Sequence, residues 1–248
     1  MREQFHVNGM CIVTDAPGQH RKPDQTIILT DGSCGRNQCF GRLFEDFARY
    51  FKNNYRVVRF FSETEKNREM SKRDSQVGVS DKVACLDKII EYEVMEYPDN
   101  LIYLLGLGLG APVSIIDYSN LAYKKDKKSV KKRHSIHSMI LLNPVLNPEE
   151  QICSNSGQMT DELKLLDKEV IKYMRNVRIP VLTVYGTDDK GFPEGKGRQY
   201  QGARDLGGYF SNRQLKIIEG AGQSFRGRHE ELFKAIEFFI RFYRKPII

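Results

Sequence analysis

The residues with the clearest chemical meaning lie at the end of a short apolar segment. Residues 100–110 read Asn-Leu-Ile-Tyr-Leu-Leu-Gly-Leu-Gly-Leu-Gly, which predicts a buried strand, a glycine-framed turn and a helix that starts at Ala111. A strained turn between strand and helix can lift one side chain above a sheet, where that side chain acts as the nucleophile in acyl transfer. Gly106 and Gly110 supply the frame for such a turn, but its central residue, Gly108, has no side chain.

Strand and helix signals alternate along the chain and predict the elements that position this turn. Residues 5–13 predict a hairpin around Asn8-Gly9, and six further strands are predicted at 26–30, 55–61, 101–105, 138–142, 180–185 and 214–218. Helices are predicted at 40–51, from Ser80, from Ala111, at 161–174 and at 230–243. The predicted fold class is therefore α/β, with a mostly parallel eight-stranded sheet, an N-terminal antiparallel hairpin and helices on both faces.

One domain spanning 1–248 is the economical organisation, because the sequence has no internal repeat and no linker rich in Pro, Gly or Ser. Within it we expect a basic loop at 124–133 and a short helical insertion at about 147–178. Right-handed crossovers place the strand-to-helix loops of such a domain at one edge of its sheet, where ligands bind.

Four segments, in order along the chain, resemble landmarks of the α/β-hydrolase superfamily. Residues 31–35, Asp-Gly-Ser-Cys-Gly, follow the third predicted strand, as the oxyanion loop does in that family. Residues 106–110 match its nucleophile turn, 186–193 its G-x-x-D-x-x-x-P turn, and 220–225 its G-A-x-H-x-F stretch. The resemblance covers nearly the whole chain. It is strongest to small esterases and dienelactone hydrolases with little or no lid domain.

The resemblance also implies a role for each position, and two of the positions have lost the residue that the role requires. It places an oxyanion loop at Gly32, Ser33, Cys34 and Gly35, the nucleophile at Gly108, the acid at Asp189 and the histidine at Gln223. Gly108 offers no oxygen or sulfur. The amide of Gln223 is not basic near neutral pH and cannot shuttle a proton. Asp188 and Asp189 are also compatible with ordinary turn residues.

Other side chains leave a catalytic alternative open. Ser33 or Cys34 could act as a relocated nucleophile, although this interpretation places no histidine beside them, and a structural cysteine is favoured at position 34. His229 follows Gln223 by six residues and is interpreted as a surface residue, not as a replacement base. A phosphate-binding role for residues 106–110 is disfavoured, because their glycine spacing differs from G-x-G-x-x-G.

The positive charge of the chain is concentrated in one segment. The net charge is +7, and residues 124–133 hold seven basic residues and one acidic residue. The basic residues are Lys124, Lys125, Lys127, Lys128, Lys131, Lys132 and Arg133. The helix that starts at Ala111 runs away from the glycine turn, so this segment is expected at the opposite edge of the sheet. It could contact RNA or another polyanion through phosphate, meet an anionic membrane or an acidic protein, serve as a nuclear localisation signal, or be simply solvated.

Composition excludes several classes of protein. Hydrophobic residues make up 40% and charged residues 29% of the sequence, as in ordinary globular domains. No apolar run approaches the roughly 18 residues of a membrane span, and residues 1–6 do not resemble a secretory leader. The five cysteines contain no C-x-x-C pair, so we expect no zinc, no disulfide framework and no cofactor. An intracellular protein is expected, with cytoplasm, nucleus and mitochondrial matrix left open.

The sequence therefore predicts a catalytically inactive α/β-hydrolase-like protein that serves as a binding or structural module, for example within a larger protein complex. Two alternatives stay open at this point. The chain could be a sensor that binds a ligand in the vestigial pocket. It could also be an atypical hydrolase that uses Ser33 or Cys34.

Overall fold

The computed structural model describes residues 1–7, 10–17, 23–31, 38–62, 79–145, 170–188 and 209–243. The described strands form one eight-stranded sheet. They are β1 (Arg2–Val7), β2 (Met10–Asp15), β3 (Gln25–Asp31), β4 (Arg56–Ser62), β5 (Leu101–Leu107), β6 (Ile136–Leu142), β7 (Val181–Gly186) and β8 (Arg213–Ile218).

The described parts of the chain contain five long helices. They are α1 (Gln38–Phe51), α2 (Val79–Glu96), α3 (Gly110–Tyr123), α4 (Lys127–Ser135) and α5 (His229–Tyr243). Four of the five occupy segments that the sequence pattern predicts, and α4 does not. Residues 170–174 are also helical and belong to the insertion predicted at about 147–178, of which residues 147–169 lie outside the described residues. None of the helices in the described parts of the chain has the length and hydrophobicity that a membrane-spanning segment needs.

The strand order is β1-β2-β4-β3-β5-β6-β7-β8. The pairs β1–β2 and β2–β4 are antiparallel, and every other neighbouring pair is parallel. The predicted fold class is thus confirmed, including the N-terminal hairpin. Because β3, β5, β6, β7 and β8 are parallel, their carboxyl ends lie along the same side of the sheet. We call this side the elbow edge, after the turn that follows β5.

Helices cover both faces of the sheet and bury its central strands. One apolar cluster lies between the sheet and α2 and α3, and a second lies between the sheet and α1 and α5. Strand β7 is buried along its whole length, as expected for a strand with helices on both faces. On α1, apolar residues recur at helical spacing, and the Phe47 and Phe51 rings stack with centroids 4.3 Å apart. Phe233 of α5 meets Phe47 edge-on at 5.5 Å, so the two helices pack together.

The basic segment is largely a helix, and the prediction of a loop over its whole length is wrong. Asp126 caps α4 by accepting a hydrogen bond from the Ser129 N–H at 2.9 Å. Helix α4 leads directly into β6, so it lies at the edge of the sheet opposite the elbow, as predicted. Lys132 is 3% exposed and forms an ion pair with Asp87 of α2. The acidic face of α2 therefore compensates part of the positive charge of the segment.

Candidate functional site

The glycine turn predicted from residues 106–110 lies between β5 and α3. Gly108 has φ +58, in the left-handed region, and connects the end of β5 to the first turn of α3. Its N–H donates to the Leu142 carbonyl at 2.9 Å, and its own carbonyl accepts from the N–H groups of Ala111 at 3.2 Å and Val145 at 3.1 Å. The predicted turn between strand and helix is confirmed, and its central residue has a positive φ.

Gly106 and Gly108 are suited to this turn for different physical reasons. A Cβ on Gly106 would lie 2.5 Å from the Gly110 carbonyl oxygen, so only glycine lets α3 start this close to β5. Among the described residues, a Cβ on Gly108 would meet the Val145 Cγ2 alone, at 3.9 Å. The space around Gly108 therefore admits a side chain, and the lack of a nucleophile there comes from the residue type and not from crowding.

Asn143 links three strand ends at this edge, and sequence reasoning did not single it out. It follows β6, is 1% exposed and has φ +40. Its Oδ1 accepts a hydrogen bond from the Gly186 N–H at 2.9 Å, and its Nδ2 donates to the Gln223 carbonyl at 3.1 Å. A residue before proline usually avoids helical backbone angles, so the conformation of Asn143 is unusual. Among residues other than glycine, asparagine is one of those that adopt a positive φ most readily. In the sequence, the signal for an unusual backbone conformation here was the Asn143-Pro144 pair at the end of a predicted strand.

Gly108 and Gln223, which the resemblance places at the nucleophile and histidine positions, are held by the same short segment. The Val145 N–H binds the Gly108 carbonyl at 3.1 Å, while the Asn143 amide binds the Gln223 carbonyl at 3.1 Å. Residues 143–145 therefore bring Gly108 and Gln223 to the same edge of the sheet. Gln223 is exposed, and it is anchored through its backbone.

The turns that follow β7 and β8 lie against each other. A Cβ on Gly186 would collide with the Ala221 carbonyl oxygen, and the Asp188 N–H donates to that oxygen at 2.8 Å. Phe225 closes the second turn with φ +52 and is fully buried. A bulky residue with positive φ is strained, and surrounding packing must hold it there. Burial raises the pKa of the Tyr185 phenol well above its usual range, so this part of the site carries a neutral hydroxyl.

His229 is partly buried, with 20% of its side chain exposed, and is not the free surface residue expected from the sequence. Its Nδ1 lies 3.1 Å from the Asp46 Oδ2 on α1, and its Nε2 lies 3.1 Å from the Ser224 carbonyl oxygen. The imidazole also stacks on Phe233, with ring centroids 5.7 Å apart. Both ring nitrogens are thus used to join α5 to α1 and to the preceding turn. The interpretation that His229 is not a replacement base stays a prediction.

Several residues of the predicted site lie outside the described residues. They are Gly32, Ser33, Cys34 and Gly35 of the oxyanion-like segment, and Asp189. Their roles stay predictions, and so does the possibility of a nucleophile relocated to Ser33 or Cys34. Asp188, the last described residue before Asp189, is exposed.

The structure sorts the basic residues of segment 124–133 into two groups. Lys128 lies 2.6 Å from the Glu91 carboxylate, and Lys132 is buried against Asp87. Arg133 is half-buried, within 3.5 Å of the Ala122 carbonyl. The remaining four are exposed and have no carboxylate within 4.0 Å among the described residues: Lys124, Lys125, Lys127 and Lys131.

Comparisons with known proteins agree on the fold. No protein-family model matches the chain, and no curated protein matches it in sequence. Est1E from Butyrivibrio proteoclasticus superposes with a TM-score of 0.68 at 14% identity, covering 98% of both chains. A dienelactone hydrolase from Anabaena variabilis gives 0.66 at 9% identity, again covering 98% of both chains. A lidless α/β serine hydrolase from Xanthomonas campestris gives 0.64 at 16% identity, covering 100% of this chain and 96% of the other.

These likenesses, together with the strand order and the turn at Gly108, define the fold as that of the α/β-hydrolases. Hydrolases are thus among the solved structures that this chain resembles. At these levels of identity the likeness concerns the backbone alone, and the chemistry of the site must be argued from its own residues.

Proposed function

We propose that this protein is a non-catalytic member of its fold class that serves as a binding or structural module. The observation that carries the proposal is Gly108, a residue without a side chain that occupies the strained turn between β5 and α3. A nucleophile presented there would be activated by a neighbouring base. In this chain the position implied for that base holds Gln223, whose amide cannot take up a proton near neutral pH.

The magnitude of the expected loss supports this proposal over a weakened enzyme. In a serine protease, removal of the nucleophile or of the histidine alone lowers kcat by about a million-fold. Oxyanion stabilisation and binding can retain about a thousand-fold acceleration over water. The amides of Leu109 and Gly110 still lie at the N-terminus of α3, where backbone N–H groups have no acceptor within the helix. Such a site can bind a polar ligand without transforming it.

The test is ester hydrolysis and active-site labelling of the purified chain. We expect the wild-type protein to hydrolyse p-nitrophenyl acetate at the buffer rate and to resist labelling by a fluorophosphonate probe. Hydrolysis or stoichiometric labelling that disappears in Ser33→Ala or Cys34→Ala would overturn the proposal. That outcome would establish a nucleophile at Ser33 or Cys34, which a hydrolase with glycine at position 108 would need.

The double substitution Gly108→Ser with Gln223→His is the matched control. A Cβ at position 108 has room, and the backbone at position 223 is fixed by the Asn143 amide. We expect the double variant to be labelled by the probe, while Gly108→Ser alone reacts more slowly because it lacks a base. A labelled double variant beside an unlabelled wild type would show that the assay detects this geometry.

The exposed lysines of α4 and of the residues before it favour a second function, the docking of a polyanion such as RNA. Lys124, Lys125, Lys127 and Lys131 project at the edge of the sheet opposite the elbow, and Lys128 and Lys132 are held by the carboxylates of α2. The nearby ion pairs fix α4, so Lys127 and Lys131 are presented on a rigid helix, and Lys124 and Lys125 lie just before it. No aromatic residue lies within 124–133, so contact with phosphate is expected without base stacking.

Substitution of the four exposed lysines by glutamine tests this second function. We expect weaker binding to duplex DNA of any sequence. The slope of log binding constant against log salt concentration should shrink by roughly 0.9 for each lost phosphate contact. Lys216→Gln with Lys234→Gln is the control, since these lysines also reach solvent but belong to β8 and α5, respectively. Equal binding by the quadruple variant and the wild type at matched salt would contradict a docking role.

A further inference from the structure

Segment 124–133 has no aromatic residue of its own, but Tyr123, the last residue of α3, directly precedes it. Tyr123 is 60% exposed. Its hydroxyl accepts a hydrogen bond from the Asn176 Nδ2 at 2.9 Å, and the same Nδ2 donates to the Ser119 hydroxyl at 2.8 Å. The hydroxyl end of the Tyr123 side chain is therefore anchored, while much of the residue is open to solvent.

Cations surround the end of α3 where Tyr123 lies. Lys124 and Lys125 follow it directly and are exposed. The Arg133 guanidinium lies 3.5 Å from the carbonyl oxygen of Ala122, the residue before Tyr123. Positive charge is favoured at this place, because the last carbonyl groups of a helix carry partial negative charge.

Arg178 extends this basic surface beyond segment 124–133. It is exposed, and it follows Asn176, the anchor of Tyr123, by two residues. Burial raises the pKa of the Tyr118 phenol on α3, and the nearby guanidiniums of Arg133 and Arg178 lower it. Both arginines therefore lie close to the last turns of α3. We call this surface the α3 patch, and its members are Tyr123, Lys124, Lys125, Arg133 and Arg178.

A single exposed ring is ordinary on a protein surface, but three other exposed rings of the described residues have different surroundings. Phe238 and Phe242 stack on each other, with centroids 6.3 Å apart. The Tyr50 hydroxyl donates to the Glu237 carboxylate at 3.2 Å, whose charge would repel a phosphate. In the α3 patch, by contrast, none of the four cations has a carboxylate within 4.0 Å among the described residues. The nearby Asp126 carboxylate is engaged in capping α4.

A ring among cations fits a single strand of nucleic acid. Bases stack on aromatic side chains, while basic side chains bind the phosphates of the backbone. A duplex keeps its bases stacked inside, so it offers phosphates to the cations but no free base to the ring. Unstacked bases are characteristic of the loops, bulges and ends of RNA. The chemistry of the α3 patch therefore matches single-stranded RNA.

We propose that the α3 patch binds single-stranded RNA, with one base stacked on Tyr123 and the adjoining phosphates bound by the four cations. This inference rests on the second proposed function, the docking of a polyanion, and names its partner. Because the Tyr123 hydroxyl is tied to Asn176, the ring loses little freedom when a base stacks on it. The exposed lysines of α4 continue the phosphate contacts along the same edge of the sheet.

Fluorescence anisotropy with a labelled oligouridylate of about 12 nucleotides tests the proposal, beside an RNA duplex of the same length. We expect the wild type to bind the single strand more tightly than the duplex at matched salt. Tyr123→Ala should weaken binding of the single strand about five-fold or more and leave duplex binding unchanged. Tyr123→Phe keeps the ring and should retain the affinity. Phe242→Ala is the matched control, because Phe242 is 59% exposed but belongs to α5, which covers the other face of the sheet.

A tryptophan at position 123 reports stacking directly. The chain contains no tryptophan, so Tyr123→Trp carries a single indole, which lies at the proposed site. We expect oligouridylate to quench its fluorescence. The duplex and heparin, a polyanion without bases, should leave the fluorescence unchanged when they bind.

Arg178→Gln tests the part of the patch that lies outside segment 124–133. The slope of log binding constant against log salt concentration for the single strand should shrink by about 0.7, as expected for one lost phosphate contact. Arg241→Gln is the control, because Arg241 is paired with Glu237 at 2.7 Å. An unchanged slope in Arg178→Gln would contradict a phosphate contact at Arg178.

These measurements separate the failure of this inference from the failure of polyanion docking. If single strand and duplex bind alike and Tyr123→Ala changes neither affinity, the stacked base is wrong and docking of a polyanion stands. If the wild type binds neither nucleic acid, both are wrong. A single strand of DNA that binds more tightly than the RNA strand would overturn the assignment to RNA.

Discussion

The two edges of the sheet are fixed by different kinds of interaction. At the elbow edge, backbone segments touch directly at Gly106 and Gly186, and Asn143 links the strand ends through neutral hydrogen bonds. At the opposite edge, the strands begin around a buried ion pair. Arg56, the first residue of β4, places its Nε 3.0 Å from the Glu93 carboxylate, and the two side chains are 3% and 1% exposed.

Neutral side chains complete this ionic cluster. The Thr26 hydroxyl donates to Glu93 at 3.2 Å, and the Asn100 amide donates to the Thr26 hydroxyl at 3.1 Å. The Arg56 guanidinium lies 4.6 Å from the centroid of the Tyr97 ring. Strands β3 and β4, helix α2 and the turn before β5 therefore meet through side chains at this edge. Loss of a charged group here leaves its partner unpaired in the core, whereas a nucleophile can be lost at the elbow edge without disturbing the backbone contacts that shape it.

The largest effect is expected from Glu93→Gln. The amide has nearly the same shape, but it leaves the Arg56 guanidinium as an unpaired buried charge, and loss of one partner of such a pair costs about 3–5 kcal/mol. Urea denaturation measures this free energy of unfolding. Glu230→Gln is the control, because the exposed pair of Glu230 with Lys234 should contribute nothing measurable. Similar midpoints for the two variants would contradict the contrast between the edges.

At the elbow edge, Gly186→Ala should cost about 3 kcal/mol, because its Cβ would collide with a backbone oxygen that cannot move without shifting the turn after β8. Gly222→Ala is the matched control on the neighbouring turn, since its Cβ would lie 3.6 Å from the Asp188 carbonyl oxygen, an ordinary contact. The same denaturation series compares them. If both alanines are tolerated equally, close backbone contact does not fix this edge.

A smaller effect is expected at Gly108. Gly108→Val should cost about 2 kcal/mol, because a β-branched residue is strained at positive φ, while Gly108→Ser should cost about 1 kcal/mol or less. Among the described residues the Cβ meets no close neighbour, so we expect the penalty to come from strain of the backbone. Thermal unfolding of the two variants beside wild type measures the difference. A valine variant as stable as the serine variant would show that this turn is relaxed in solution.

The smallest effect concerns pH and the buried Asp117 of α3. Burial raises the pKa of this carboxyl well above its usual value of 3.8, and the nearby Asp87 raises it further while Lys132 lowers it. Between 3.8 and the raised pKa, the folded chain holds a proton that the unfolded chain releases. The free energy of unfolding therefore falls as pH rises through this window.

Asp117→Asn removes this titration, so its stability should fall less with rising pH than that of the wild type over the same window. Burial also raises the pKa of Glu93, and that contribution has the same sign and is present in both proteins. Urea midpoints measured from about pH 4 upward give the two slopes. Parallel curves would mean that Asp117 titrates alike in the folded and unfolded chains.

The fold could be predicted from the sequence because most of its strands and helices have a strong local hydrophobic pattern. Buried β5 is an apolar run, β6 ends in one at residues 139–142, and β7 is apolar apart from Thr183. Helices α1 and α5 carry aromatic residues at helical spacing. The turn at Gly108 was predictable for the same reason, since a strand, a glycine frame and a helix follow one another within residues 100–111.

Helix α4 was missed because its stabilising partners are distant in the sequence. Lys128 and Lys132 are four residues apart on one face of α4, and they meet Asp87 and Glu91, which are four residues apart on α2. A run of lysines suggests a solvated loop when these carboxylates are not considered. The cap formed by Asp126 with the residue three positions later was the local signal for a helix.

Asn143 was missed for a related reason. Its role depends on the ends of β6, β7 and β8 meeting at one point, and no local pattern shows where an amide will find a donor and an acceptor across three strands. Proline after Asn143 even favours another backbone conformation. Residues that join elements are fixed by tertiary contacts, while residues that form elements are fixed by local pattern.

The Asn143-Pro144 pair has a consequence for how this protein ages. Asparagine side chains deamidate when the nitrogen of the following residue loses its proton and attacks the side-chain carbonyl. Pro144 has no hydrogen on that nitrogen, so this route is closed. Deamidation would replace the Nδ2 donor of Asn143 by a carboxylate oxygen facing the Gln223 carbonyl. Pro144 therefore disfavours the backbone conformation of Asn143 but also protects its side chain from deamidation.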